Sequence, residues 1–423
     1  MSAEPTRARP SNLRVNADRL WSRHMELAQI GAIAGDGNCR LAMSAEDAAA
    51  RELFATWCRK AGMQLQVDGA GNMFALRLGT DPTLPPIAAG SHLDTQPHGG
   101  RFDGISGVLA ALEVVETLND AGIQTKAPLA VINWTNEEGV RFGPGLMGSS
   151  WFVGDITDAG LAQIRDTDGI AFVDEATKRG WRGDQGPGAF AMGAFFELHI
   201  EQGPQLEALG HQVGIVTSVQ GLKWLDVSLT GMDAHAGTTP LDHRRDALLS
   251  AARMLVALNE TGKCFGPDAR VSVGRLKTAT DGPSTIVGEA NFVVDLRHPE
   301  AAVLSRLAQD CEEVCRVIAA ETGCDISVSQ RISIPPKHFD QSCIDALAQA
   351  ARDLGLSHSE IASGALHDAS NVADVAPTAM VFIPCRDGIS HNVREYASRE
   401  DLAAGTSVLL HAMLAKAIVE EPH

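Results

Sequence analysis

No run of apolar residues in this chain approaches the roughly 20 needed to span a bilayer, so no membrane-crossing helix is expected. The opening stretch MSAEPTRARPSNLRVNADRL lacks the apolar centre of a secretory leader, and the expectation is a cytoplasmic protein. There is no CxxC pair. The 8 cysteines are scattered, and Cys311 and Cys315, four apart in a helical pattern, read as buried thiols of a reducing compartment. Positive charge is scarce: 35 Lys and Arg stand against 53 Asp and Glu, a formal charge of −18 spread thinly along the chain. That balance argues against nucleic acid or an anionic membrane surface as partner. Internal repeats and low-complexity tracts are also missing. What remains is a chain of 423 residues, 44% of them hydrophobic, enough for a sizeable core. At roughly 100–200 residues per domain it makes two domains, or one large domain carrying an insertion.

Ser44 followed by Asp47 reads as a helix cap with an acid in the first turn, Leu53, Phe54 and Trp57 as the buried stripe, and Gly62 as the stop. Strands are expected at 64–67, 72–78 and 87–90, a helix from Ser106 to about Asn119, and a central strand at 129–134. Strands alternating with helices imply an α/β fold, a mixed sheet covered by helices on both faces. Residues 151–192 show weak periodicity and read as loops and short helices, and 195–200 returns as a strand. From Lys223 the order becomes β-α-β-β-α-β: strand 225–229, helix 246–259, strands 270–275 and 291–297, a long helix after Pro299, and strand 325–333. That is the ferredoxin-like split motif, which closes on itself as a compact α+β unit. The expected division is therefore a catalytic domain at 1–222, an inserted domain at 223–334, and the second part of the catalytic domain at 335–423, with a strand at 378–383 and a terminal helix after Ser398.

Candidate chemistry gathers where strands end, which is where open α/β sheets bind ligands. His92, in Gly90-Ser91-His92-Leu93-Asp94, is a metal ligand as neutral imidazole, with the Asp94 carboxylate placed to accept the other ring N–H and fix the tautomer. Asp103, after a pair of glycines and before a helix, has a free carboxylate, and one carboxylate can bridge two ions about 3.5–4 Å apart. Of the two acids ending strand 129–134, Glu138 reads as a ligand and Glu137 as the unligated base that takes a proton from the attacking water. His199 lies on a strand with Glu197 and Glu201 on the same side, and His391 follows strand 378–383. Taken singly, each of these two is equally a structural histidine. Three histidines and two acids together suit two divalent ions, zinc first, with manganese, cobalt or nickel as alternatives.

The segments SHLDTQPHGGRFDG, TNEEGVRFGP, ELHIEQGP, GMDAHAGTTP, VVDLR and GISHN resemble the dinuclear-metal peptidase/aminoacylase superfamily, in its N-carbamoyl-L-amino-acid hydrolase, β-ureidopropionase and allantoate amidohydrolase branch. The likeness runs in consistent order from about residue 20 to 415. It implies a metallopeptidase-like catalytic domain in which His92, Asp103 and His199 hold one ion, Asp103, Glu138 and His391 the other, and Glu137 is the general base. It also implies that the inserted domain is a lid and the seat of a homodimer. His235 would then stabilise the tetrahedral oxyanion in the partner subunit's site and Arg297 would clamp a substrate carboxylate. Gln202, Ser284, Gly364 and Ala365 fall at substrate contacts, and Arg244 and Asp246 match an R-x-D element read as structural. Two positions depart from the pattern: Ser284 stands for the usual Asn, and Leu366 for a glycine in Ser363-Gly364-Ala365-Leu366-His367-Asp368-Ala369.

The expectation is hydrolysis of the C–N bond of an N-carbamoyl (ureido) amino acid to amino acid, carbon dioxide and ammonia. Ser284 and Leu366 invite the alternative of allantoate, another N-acyl or amino-acid conjugate, or a small peptide. A metal-binding scaffold without catalysis is disfavoured by the intact ligand set and by Glu137. Closure of the lid over the site is expected during turnover.

Overall fold

The computed structural model describes residues 12–417. Much of the stretch read for a leader, residues 1–11, lies outside the described residues, as do residues 418–423. The chain divides into two compact units, one taking in the chain up to Thr217 and again from Phe339, the other Ser218–His338.

The first unit is built on four parallel strands that lie side by side in the order Leu129–Trp134, Ile87–His92, Ala194–Ile200 and Thr378–Ile383. Every residue of these four is buried, so helices cover both faces of the sheet, and the strand sequences are accordingly continuous apolar runs rather than alternating ones. Antiparallel strands extend it on either side: Met73–Arg77 and then Gln64–Val67 beyond Leu129–Trp134, and Val213–Val219 beyond Thr378–Ile383. Because the four central strands run the same way, their carboxyl ends form one edge. His92 pairs in register with Trp134, and His199 with Phe382, so the two histidines reach that same edge.

Local signals explain the covering helices. Ala45–Lys60 begins where the Ser44 hydroxyl accepts the Asp47 N–H, has Glu46 and Asp47 in its first turn and Arg59 and Lys60 in its last, and so complements the helix dipole at both ends. Phe54 on its inner face is fully buried, which contributes on the order of 2 kcal/mol. Ile105–Asp120 and Arg399–Ala417 pack on the central strands.

The second unit is a four-stranded antiparallel sheet in the order Arg270–Thr278, Glu289–His298, Gly221–Thr230, Asp325–Ile334. Ala247–Lys263 and Ala301–Thr322 cover it, and their Met254, Leu258, Leu304, Leu307 and Cys311 meet Leu225, Val227, Phe292 and Val294 in one apolar core. Alternating burial along Glu289–His298 marks the covered face of a half-exposed strand. The connectivity is the ferredoxin-like split β-α-β unit. Asp246 caps the first of its helices through the Leu249 N–H (3.0 Å), and Arg244 donates to the carbonyls of Thr239 and Ala236, so the R-x-D element shapes this unit's backbone.

Candidate metal centre

Five side chains from distant parts of the chain converge at the carboxyl edge of the first unit's sheet. His92 is the last residue of its strand, and Glu137 and Glu138 lie in the turn that follows Trp134. His199 is one residue from the end of its strand, and His391 sits in the loop after Thr378–Ile383. Asp103 is delivered by the turn before Ile105–Asp120. Gly104 caps that helix at φ 68°, and a Cβ there would strike the His92 ring, so the turn needs glycine for both conformation and space. Three other left-handed residues, none of them glycine, border the site: Asn136, Gln202 and His391. Asn136 is held by its amide N–H donating to the carbonyls of Phe142 and Pro144, which fixes the turn carrying the two acids.

Asp103 stands at the middle. Its Oδ1 lies 3.1 Å from His199 Nε2 and 3.6 Å from His92 Nε2, while its Oδ2 lies 3.2 Å from His391 Nε2. His391 Nε2 is also 3.6 Å from Glu138 Oε2, and His92 Nε2 is 3.6 Å from Glu137 Oε2. Two ligand groups result, His92 with Asp103 and His199, and Asp103 with Glu138 and His391. In His92 and His199 the Nδ1 atoms face main-chain carbonyls, of Asp94 (2.9 Å) and Ile200 (2.9 Å), which sets the tautomer that leaves Nε2 as a lone-pair donor. Imidazole and carboxylate donors in this arrangement fit a pair of divalent cations.

One detail differs from the sequence reading. The Asp94 carboxylate is 4.0 Å from His92 Nδ1, and the main-chain carbonyl of Asp94 takes the ring's hydrogen bond instead. The carboxylate is engaged elsewhere, accepting the N–H groups of Glu137 (3.3 Å) and Glu138 (3.2 Å). Asp94 thereby locks the His92 loop to the turn that bears the two acids.

A third cluster among the described residues, Glu197, His199 and His367, has a different character. Both Glu197 oxygens are taken, by the Ser91 hydroxyl (2.7 Å) and the Ala369 N–H (2.9 Å). His367 Nε2 meets Ser363 Oγ at 2.9 Å, and the His367 main chain accepts the Ser370 N–H at its carbonyl (2.9 Å) and donates its own N–H to the Ser370 hydroxyl (3.3 Å). With these donors occupied, the cluster is a buried support that seats the His367 ring 4.5 Å from that of His199. Neither His367 nor Asp368 stands out in the sequence, although the motif containing them does.

Gln202 turns its amide into the centre and donates to Asp103 Oδ2 (2.8 Å), close to Ser390 and His391. Gly364 and Ala365 lie on the loop after His358–Ser363, with the half-buried Leu366 beside them. The remaining residues singled out in the sequence belong to the second unit. His235 pairs in register with Thr285, and its Nδ1 accepts the N–H groups of Gly237 (3.1 Å) and Thr238 (3.2 Å). The carbonyl of Ser284 accepts the Ala236 N–H (2.8 Å), so Ser284 and His235 are neighbours. Arg297 forks onto both oxygens of Asp295 at 3.0 Å each.

Protein groups alone perturb one another strongly here. Burial draws the His199 pKa down, but the Asp103 carboxylate overrides it and the value rises to about 9. For His391 the hydrogen bond to Asp103 leads, and the value again reaches about 9. Burial, then Asp103, pushes Glu138 up to about 8, and burial with the neighbouring Asp368 and Glu138 charges holds Glu137 well above the usual carboxylate range. The sign of the consequence follows. An imidazole with a folded value near 9 stabilises the fold below about 6.5 and loses that contribution as pH rises through 9. A carboxyl raised from 4.5 to about 8 keeps a proton the unfolded chain has released, so its contribution falls from about pH 4.5 to 8 and overlaps the imidazole interval above 6.5. Chelator-treated protein is therefore expected to melt a few degrees lower at pH 9 than at pH 7. Thermal scans in EDTA that are flat or rising over this range would contradict the reading.

A sequence model of Peptidase family M20/M25/M40 matches residues 88–415. The chain is 45% identical over 410 residues to the N-carbamoyl-L-amino-acid amidohydrolase of Rhizobium meliloti, covering 97% of this chain and 99% of that protein. It is 32% identical over 410 residues to the ureidoglycolate hydrolase of Arabidopsis thaliana, covering 94% of this chain and 86% of that protein. Among solved structures it is similar to an amidase of the hydantoinase/carbamoylase family from Burkholderia multivorans, with TM-score 0.93, 44% identity, and coverage of 96% and 98% of the two chains.

Proposed function

The chain belongs to Peptidase family M20/M25/M40, and on that premise we propose that it is a metal-dependent amidohydrolase that cleaves the C–N bond of an N-carbamoyl amino acid, consuming water and releasing the amino acid, carbon dioxide and ammonia. The observation that carries this reading is Asp103, whose two oxygens face two different groups of imidazoles with Glu137 alongside. The relative from Rhizobium meliloti, similar over nearly the whole chain, supports the ureido substrate.

In this reading His92, Asp103 and His199 hold one divalent cation and Asp103, Glu138 and His391 the other, with zinc the first assignment and manganese, cobalt or nickel the alternatives. Bound there, the cations supply Lewis acidity, which lowers the pKa of water and polarises the scissile carbonyl. Glu137, buried among like charges, is tuned to accept the water's proton and pass it to the departing nitrogen. Asp94 keeps His92 and the Glu137–Glu138 turn in register. His235 has Nδ1 occupied as an acceptor, so its Nε2 bears the proton and can donate to an oxyanion in the partner subunit's site. Arg297, held flat by Asp295, presents a guanidinium for the substrate carboxylate, and Gln202, Ser284, Gly364 and Ala365 complete the contacts.

The protein is proposed as a cytoplasmic homodimer joined through the inserted lid domain. In that unit Leu249 and Val256 are 57% and 67% exposed, one heptad apart on Ala247–Lys263, and the edge strand Arg270–Thr278 is exposed along most of its length. Among the described residues no helix is long and apolar enough to cross a membrane.

A panel of N-carbamoyl amino acids, N-acyl amino acids, allantoate, ureidoglycolate and dipeptides tests the substrate class. The carbamoyl compounds are expected to show the highest kcat/KM, and EDTA to abolish turnover until divalent metal is returned. A dipeptide or N-acyl substrate turned over tenfold faster would overturn the assignment. Ser284 and Leu366 favour a second reading, in which the ureido group stays and the acid differs, as in allantoate. Either way, Arg297→Ala is expected to raise KM about 10- to 100-fold with a smaller change in kcat, the loss of a charged hydrogen-bonded pair. An unchanged KM would remove Arg297 from the substrate site.

A further inference from the structure

A carboxylate that bridges two cations must keep both oxygens aimed in different directions, and nothing in the Asp103 side chain itself enforces this. Gln202 holds Oδ2 alone, and a second partner, which holds Asp103 at its main chain as well, lies outside the ligand set. Glu395 is buried, and its Oε1 accepts the N–H groups of Phe102 and Asp103, each at 3.0 Å. Its Oε2 lies 2.9 Å from Ser390 Oγ, and that hydroxyl lies 2.8 Å from Asp103 Oδ2. One buried carboxylate thus accepts the Asp103 main-chain N–H and shares with Asp103 Oδ2 the single hydroxyl proton of Ser390. Ser390 immediately precedes His391, so the same link ties the bridging acid to the loop that brings the third imidazole. The approach is close: a Cβ on Gly100 would run into the Glu395 carboxylate, so the Gly99-Gly100 turn is shaped around this side chain as well.

We infer that Glu395 is a positioning residue which, with Ser390, fixes Asp103 as a two-sided ligand. The inference rests on the metal assignment above and adds a residue to which that assignment gives no role. Among the described residues Glu395 has no hydrogen bond or ion pair to an imidazole of either ligand group; its charge reaches His391, and its hydrogen bonds act on the ligand set through Asp103 and Ser390. Side chains that orient metal ligands are commonly worth 10- to 100-fold in metal affinity.

The test is cation affinity, measured by zinc competition with a chromophoric chelator on the full chain, with thermal unfolding in EDTA recorded in parallel. Glu395→Ala is expected to weaken binding about 10- to 100-fold. Glu395→Gln keeps an oxygen for the two N–H groups and puts an amide donor on Ser390, which can still donate to Asp103. It is expected to restore affinity to within a few-fold of the parent. Ser390→Ala, which removes one hydroxyl and spares the fold, is expected to lose about tenfold, the worth of one hydrogen bond to a charged group. Affinity unchanged in Glu395→Ala, with only the EDTA melting point lowered, would make the residue structural and overturn the inference. A Glu395→Gln variant as weak as Glu395→Ala would overturn it too, by showing that charge rather than hydrogen bonding is at work. Should the parent chain itself bind no cation, the metal assignment falls, and this inference with it. A parent that binds two while Glu395→Ala and Ser390→Ala match it removes the inference alone.

Discussion

Glu137→Gln is expected to lower kcat by about three orders of magnitude while both cations remain bound. Glutamine has the same shape as glutamate, so the turn between Asn136 and Glu138 should hold, anchored as it is by the Asn136 amide and the Asp94 carboxylate. Glu138 and His391 are untouched, and with them one ligand group. What disappears is a group able to take a proton and give it back. Without it the attacking water must lose its proton to solvent, and the leaving nitrogen must depart as a poorly stabilised anion. KM should change little, because Glu137 contributes to the transition state rather than to ground-state binding. Metal analysis beside steady-state kinetics separates the outcomes. A variant that retains both metal and near-normal kcat would show that another group moves the proton. One that loses metal would move Glu137 from base to ligand.

The helices and strands that frame the site were legible in the sequence because each is a local statement. Ser44 and Gly62 bracket a helix found at Ala45–Lys60, and the helix expected at 106–119 is found at Ile105–Asp120. The continuous apolar runs at 87–90 and 129–134 became parallel strands buried on both faces. Gln341–Asp353 went unread although Asp340 caps it and Cys343, Ile344, Leu347 and Ala351 form its buried stripe. Its strands Val213–Val219 and His358–Ser363 also escaped, one of them interrupted early by Gly214. At the centre, residue types at strand ends pointed to the five side chains that converge. Their supports were not legible, since Glu395 lies 292 residues from the Asp103 N–H it accepts and no periodicity connects them. The Asp94 carboxylate shows the same limit on a smaller scale. H-x-D spacing cannot say whether carbonyl or carboxylate meets the ring, because that depends on how the loop presents the N–H groups of Glu137 and Glu138.

Asp103→Asn is expected to lose both cations at once, and turnover with them, by at least four orders of magnitude on the scale of metal-assisted hydrolysis. An asparagine offers one acceptor oxygen where two are required. Its amide hydrogens would face either His199 and His92 or His391, atoms that now sit 3.1 to 3.6 Å from a carboxylate oxygen. His391→Ala should behave differently, stripping the group it shares with Glu138 and leaving His92, Asp103 and His199 to retain one ion. The two variants therefore predict zero and one cation per chain against two in the parent, read by elemental analysis after dialysis against a weak chelator. Asp103→Asn carries a second signature that needs no metal. The Asp103 carboxylate is what lifts His199 and His391 to about 9, so its removal lets both imidazoles lose their protons near neutrality. The fall in stability between pH 7 and 9 should then become shallower in EDTA, because the two imidazoles that contributed most of it no longer titrate there. An Asp103→Asn protein that still holds one ion tightly and keeps the parent's pH profile would mean the carboxylate serves one side only, and the bridge would have to be assigned elsewhere.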